Sequence, residues 1–164
     1  MALGFVGIAH IVAAVFSIIE LGLTAYLISV YDGYYYGGWY GGASPDRTNF
    51  MLFNAIWSLL VLAYVGLTPL YMTNLFHKLA ALALEAITMI FWFAGSIALA
   101  VMIGAPRCNG NTFCGSYEAA IAFGFFLWAL FTFLVVLDAI EAMRSRRSNS
   151  APNGHHHTKP YAGA

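Results

Sequence analysis

Few residues in this 164-residue chain carry chemistry, and most of those lie inside apolar sequence. His10, Glu20, Glu85 and Asp138 interrupt long hydrophobic runs, with Glu141 just behind Asp138. An ionisable group is expensive in hydrocarbon, so such residues face a protein interior or an aqueous cavity. At about 1.5 Å per helical residue, His10 and Glu85 lie equally deep, roughly 10 Å from the starts of their segments. Asp138 approaches the same level from the opposite direction. The spacing therefore predicts a polar cluster of His10, Glu85 and Asp138. Glu20 lies deeper, with Ser17 and Thr24 one turn either side of it, and Asn54 and Ser58 are its candidate partners on another segment. Two uses fit these groups: interhelical hydrogen bonds that set packing, or a site for a cation, a proton or an amphipathic ligand. Packing is the preferred reading.

Other chemistry finds less support. Cys108 and Cys114 are the two cysteines of the chain. Their spacing allows a small closed loop, expected as a structural disulfide; a redox dithiol and free thiols are the alternatives. Quinone-linked thiol oxidation needs a CxxC-type pair and a second pair, which this chain does not contain. His10 is the one histidine well inside an apolar run, so bis-histidine haem ligation has no partner residue. His77 falls in a short turn, and His155, His156 and His157 in a Gly/Pro/Asn-rich tail read as solvated. No Ser/His/Asp set and no phosphate-cradling glycine motif are present. The expectation is a protein without cofactor, metal or enzymatic activity.

The elements that position these residues are four long apolar runs, at about residues 3–30, 50–69, 79–103 and 117–142. Each reaches the roughly 20 residues with which a helix crosses a bilayer core. A backbone in lipid must satisfy its own hydrogen bonds, so the runs are helices. The fold class expected is an all-α integral membrane protein, an antiparallel four-transmembrane-helix bundle over residues 3–143, with a flexible tail at 144–164. Composition agrees: 61% of residues are hydrophobic, 9% are charged, and mean hydropathy is +0.75. A soluble domain carries about a quarter charged residues. Zero formal net charge excludes a strongly basic nucleic-acid surface. The first run is longer than the core of a secretory signal and reads as a retained anchor.

An even number of spans places both ends of the chain on one side. That side carries Lys78, Arg144, Arg146, Arg147 and Lys159, against Arg47 and Arg107 on the other. Basic residues accumulate on the cytoplasmic side, so both termini are expected in the cytosol and the cysteines outside it. Arg144, Arg146 and Arg147 are candidate contacts for anionic lipid, at about 1 kcal/mol each; an ordinary positive-inside stop signal is the preferred reading. The loop from Tyr31 to Gly42 is rich in Tyr, Gly and Trp and reads as an interfacial aromatic belt, with an adhesive surface as the alternative. Small residues recur at four-residue spacing: Ala9, Ala13 and Ser17; Ser96, Ala100 and Gly104; Ala120 and Gly124. Such ladders allow helices close approach, within the bundle or between molecules.

Several segments carry a family resemblance. They are Asn49-Phe50 opening the second span, Ala55-Ile56-Trp57-Ser58-Leu59-Leu60 within it, the short turn ending in His77-Lys78, and Leu84-Glu85-Ala86-Ile87-Thr88-Met89-Ile90-Phe91-Trp92-Phe93-Ala94-Gly95 in the third. With cytosolic termini and paired cysteines before the last span, the chain resembles the MARVEL-domain proteins, and fungal members most. The resemblance covers about residues 5–143. It implies a role in membrane apposition, vesicle trafficking or lateral organisation of the plasma membrane, with membrane lipids, further copies of the chain or other membrane proteins as partners. A multi-pass protein of the plasma membrane or secretory vesicles is expected. The rival reading is a four-helix bundle that binds a sterol-like ligand, a cation or a proton at Glu20 or at His10 and Glu85.

Overall fold

A computed structural model describes residues 2–36, 46–71, 78–104 and 108–149. They form four helices: α1 (Ala2–Tyr36), α2 (Asp46–Tyr71), α3 (Lys78–Ile103) and α4 (Thr112–Asn149). Each contains a stretch long and apolar enough to cross a membrane. The helices outrun the apolar runs because the hydrophobic stretch marks only the part in hydrocarbon. Tyr31, expected in a loop, belongs to α1 and stacks edge-on against Phe113 and Tyr117 of α4. The expected loop at Tyr34–Tyr36 is likewise helical, and its Tyr/Gly/Trp continuation at 37–42 lies outside the described residues, as do His77 and the tail from 150. The basic segment after Ala142 is the last part of α4 rather than tail; Arg144 is exposed on it, and the side chains of Arg146 and Arg147 lie outside the described set.

α4 starts five residues before the expected Tyr117 because Asn111 caps it. The Asn111 side-chain carbonyl accepts the backbone N–H groups of Phe113 and Cys114, at 3.0 and 3.3 Å, satisfying donors that a helix start leaves free. α3 ends at Gly104, whose φ of +71° is the left-handed conformation that glycine adopts at a helix stop. Its N–H donates to the Ala100 carbonyl at 3.0 Å. Between these two signals the Cys108–Cys114 disulfide, with Cα atoms 5.4 Å apart, ties the residues before α4 to its first turn.

The helices pack as a square. Among the described residues α1 lies against α2 and α4, and α3 lies against α2 and α4, so α1/α3 and α2/α4 are the diagonals. One seam on each helix faces inward at alternating steps of three and four residues: Ala13, Ser17, Glu20, Thr24 and Leu27 on α1; Tyr117, Ala120, Gly124, Leu127, Phe131 and Leu134 on α4. That period is the one at which side chains of nearly antiparallel helices interdigitate. The polarity is inverted relative to a soluble bundle. Ser17, Glu20, Thr24, Thr48, Asn54, Ser58, Glu85, Thr88 and Ser96 are all fully buried, while Ile8, Ile11, Ile18, Leu60, Ile90, Val101 and Phe126 are exposed. Hydrocarbon solvates the latter and would leave the former without hydrogen bonds.

The small-residue ladders on α1 and α4 turn inward, with Ala9, Ala13, Ser17, Ala120 and Gly124 buried. On α3 the ladder starts at buried Ser96 and ends at exposed Gly104. Two glycines set the closest approach. A Cβ on Gly95 would stand 2.7 Å from Met51 Sδ and 2.9 Å from Asn54 Nδ2; one on Gly124 would collide with Ser96 Oγ and stand 3.1 Å from Met51 Cε. Gly22 has nothing within 4 Å. Gly95→Ala and Gly124→Ala are therefore expected to destabilise the bundle by about 1–3 kcal/mol. Gly22→Ala is expected to be neutral or to stabilise by a fraction of 1 kcal/mol, since alanine favours helix. Equilibrium unfolding in mixed micelles distinguishes the sites, and equal effects at all three would contradict the packing described.

Candidate functional site

The buried polar groups lie in tiers along the bundle. Nearest the chain ends, His10 of α1 and Glu85 of α3 meet across a diagonal of the square, Nε2 to Oε1, at 3.4 Å. The His10 ring is oriented from its other side, where Nδ1 donates to the Val6 carbonyl one turn back at 2.8 Å. With Nδ1 committed as a donor, Nε2 can face a carboxyl oxygen favourably only if a proton lies between them, on the imidazole or on Glu85. The contact is longer than a good hydrogen bond but within ion-pair reach. Asp138 of α4 lies within electrostatic range of both, and Glu141 within range of Asp138. The structure thus brings His10, Glu85 and Asp138 to one end of the core, with Glu85 fully buried and Asp138 partly exposed.

The middle tier is the seam between α2 and α3. Ser58 and Thr88 work alike. Each hydroxyl donates to the carbonyl four residues back, Asn54 at 2.7 Å and Leu84 at 2.8 Å. Each accepts an indole N–H from the facing helix, Trp92 to Ser58 at 2.8 Å and Trp57 to Thr88 at 3.0 Å. The Asn54 amide N–H donates to the Phe91 carbonyl at 3.0 Å. A buried indole N–H requires an acceptor, and these pairings supply it while joining the helices. Interhelical bonds in lipid contribute on average about 0.6 kcal/mol each. Sequence reasoning passed over Trp57, Thr88 and Trp92 as site residues; a tryptophan deep in a span is itself the signal, because its N–H must be met.

Farther along, Glu20 is fully buried and neither of its carboxyl oxygens has a hydrogen-bond partner among the described residues. Asn54, expected beside it as a partner, spends its amide N–H on Phe91 instead and keeps its carbonyl oxygen free. Thr24 donates to the Glu20 backbone carbonyl at 2.7 Å, not to its carboxyl. Beyond this level the Thr48 and Tyr117 hydroxyls pair at 3.2 Å across the other diagonal. At the far end Cys108, Cys114 and Glu118 bring possible ligand atoms within 4.8 Å of one another. The two sulfurs are joined to each other, so neither is the thiolate that a metal would bind.

The model of the MARVEL family, described as a membrane-associating domain, matches residues 3–137. The chain belongs to the MARVEL family. It is also 27% identical over 151 residues to "Non-classical export protein 2 homolog 1" of Saccharomyces cerevisiae, covering 84% of this chain and 81% of the relative. No solved structure matches it. The segments that carry the family resemblance, around Trp57-Ser58 and from Leu84 to Gly95, are the two sides of the hydrogen-bonded α2/α3 seam. The chain is an integral, multi-pass membrane protein.

The diagonal pair yields a direct test. His10→Ala leaves Glu85 buried without its facing group and is expected to cost about 3 kcal/mol, the lower end for a broken buried pair. Adding Glu85→Gln should recover part of that loss, because the uncompensated carboxyl goes with it. Unfolding free energies of the four forms in micelles give the coupling; strictly additive effects would show that the two side chains do not act together.

Proposed function

We propose that this MARVEL protein is a non-enzymatic organiser of membranes, acting in membrane apposition, vesicle trafficking or the lateral arrangement of plasma-membrane domains. The observation that carries the reading is the division of surface and core. The described polar tiers are spent largely on holding helices together, while a wide apolar surface of Ile, Val and Phe faces outward. Such a body acts through what it displaces and gathers in the bilayer. The family and the named export function of the yeast relative support a trafficking context. Its partners on this reading are membrane lipids and further copies of the chain.

The same reading places both termini in the cytosol. Arg144 and the other basic residues at that end support it, and the disulfide at the opposite end suits an oxidising compartment. An impermeant maleimide added to intact cells is expected to label Cys108 and Cys114 only after an impermeant reductant. Labelling that required permeabilisation would reverse the orientation or move the protein to an internal membrane.

Native mass spectrometry of the chain released from lipid nanodiscs tests the organising role. Homo-oligomers that retain several lipids are expected. Monomers without retained lipid would remove the basis for lateral organisation.

A further inference from the structure

Two groups of buried polar atoms among the described residues have no hydrogen-bond partner. In one, His10 Nε2 and the Glu85 carboxyl oxygens face each other at ion-pair distance; the second has no such facing charge. Ser17 Oγ, both Glu20 carboxyl oxygens, Asn54 Oδ1 and Ser96 Oγ are buried without hydrogen-bond partners, and all four residues are fully inaccessible. They belong to α1, α2 and α3, yet three independent contacts bring them to one level. His10 meets Glu85 across the diagonal. Glu20 follows His10 by ten residues as Gly95 follows Glu85, so Glu20 and the Gly95–Ser96 pair both lie about 15 Å beyond that contact. Ser96 lies against Gly124, and Asn54 Nδ2 lies against Gly95. The Asn54 orientation is fixed, because the Phe91 carbonyl can only accept and so faces Nδ2 rather than Oδ1.

We propose that this level is a binding site for one dehydrated alkali cation, held by Glu20, Asn54, Ser17 and Ser96. The donor set is oxygen only, which suits a hard cation and not a soft transition metal. It holds one carboxyl group, so one positive charge brings the site to neutrality, as a buried charge in hydrocarbon requires. Calcium takes six to eight oxygens and would leave a net positive charge here. The five unpartnered oxygens lie in the part of the bundle where Gly95 and Gly124 let side chains of α2 and α3 pack closely. The site is distinct from the His10–Glu85 tier, whose carboxyl has its own facing cationic or neutral imidazole. It does not depend on the organising role proposed above.

The full-length protein in nanodiscs tests this by thermal unfolding in sodium chloride or potassium chloride titrated against N-methyl-D-glucamine chloride at constant ionic strength. A ligand bound only by the folded state raises the unfolding midpoint as its site fills. A saturable rise of a few degrees with either alkali ion is expected, abolished by Glu20→Gln and retained in Glu85→Gln. Ser17→Ala and Ser96→Ala keep the charge but each remove one ligand, and are expected to raise the half-saturating concentration severalfold. These two variants decide the matter if Glu20→Gln does not fold. Equal midpoints in all three salts would overturn the proposal and leave Glu20 carrying only a proton. An alkali-ion effect that survives in Glu20→Gln, or half-saturation unchanged in both serine variants, would overturn it as well.

Discussion

A polar side chain in the middle of a bilayer has no water to fall back on, and the whole architecture follows from where its hydrogen bonds go. In this chain most of the interhelical ones go to the α2/α3 seam. Ser58 and Thr88 each return a bond to their own helix and receive an indole N–H from the other. Each hydroxyl is thereby used as donor and acceptor, leaving little reason for it to rotate. Asn54 adds a bond to a backbone carbonyl that already serves its own helix. With α2 and α3 fixed in register, Gly95 and Gly124 allow Met51, Ser96 and Asn54 to pack closely. The two diagonals then close at opposite ends, His10 with Glu85 and Thr48 with Tyr117. Hydrophobic burial cannot supply this specificity, because lipid tails solvate Ile and Leu as well as the protein interior does.

What sequence could reveal of this architecture follows the same physics. The four spans were legible because length and apolarity are collective properties of 20 or more residues. The common depth of His10 and Glu85 was legible too, since both lie early in helices that run the same way. Helix ends were less so: the apolar run located the hydrocarbon part of α4, while the start at Thr112 is decided by the Asn111 cap, a short polar signal. The hydrogen bond expected between Glu20 and Asn54 does not form. Both point inward, but the Asn54 amide turns to the Phe91 carbonyl, and which neighbour a side chain meets depends on helix rotation. The indole bonds at Trp57 and Trp92 were available in principle from the need of a buried N–H for an acceptor. Their partners depended on the register of α2 against α3, which no local pattern encodes.

The distribution of small residues bears on how such a protein could gather others. Small-xxx-small ladders let two membrane helices approach, and they serve equally within a bundle or between bundles. Here Ala9, Ala13 and Ser17 on α1, with Ala120 and Gly124 on α4, are consumed inside the square. Most of the outer face is made of large branched and aromatic side chains, Ile8, Ile11, Ile18, Ile90, Val101 and Phe126 among them, but Gly22, Ala25 and Ser29 are exposed together on one stripe of α1. The rough part of that surface offers no flat groove, so the α1 stripe is where a neighbouring helix can approach closely. Under the proposed organising role, close association between copies would be confined to that stripe, with lipids filling the rest of the surface between them. One narrow close contact per copy suits domains that assemble and disperse, whereas a fixed complex would call for such contacts on several faces at once.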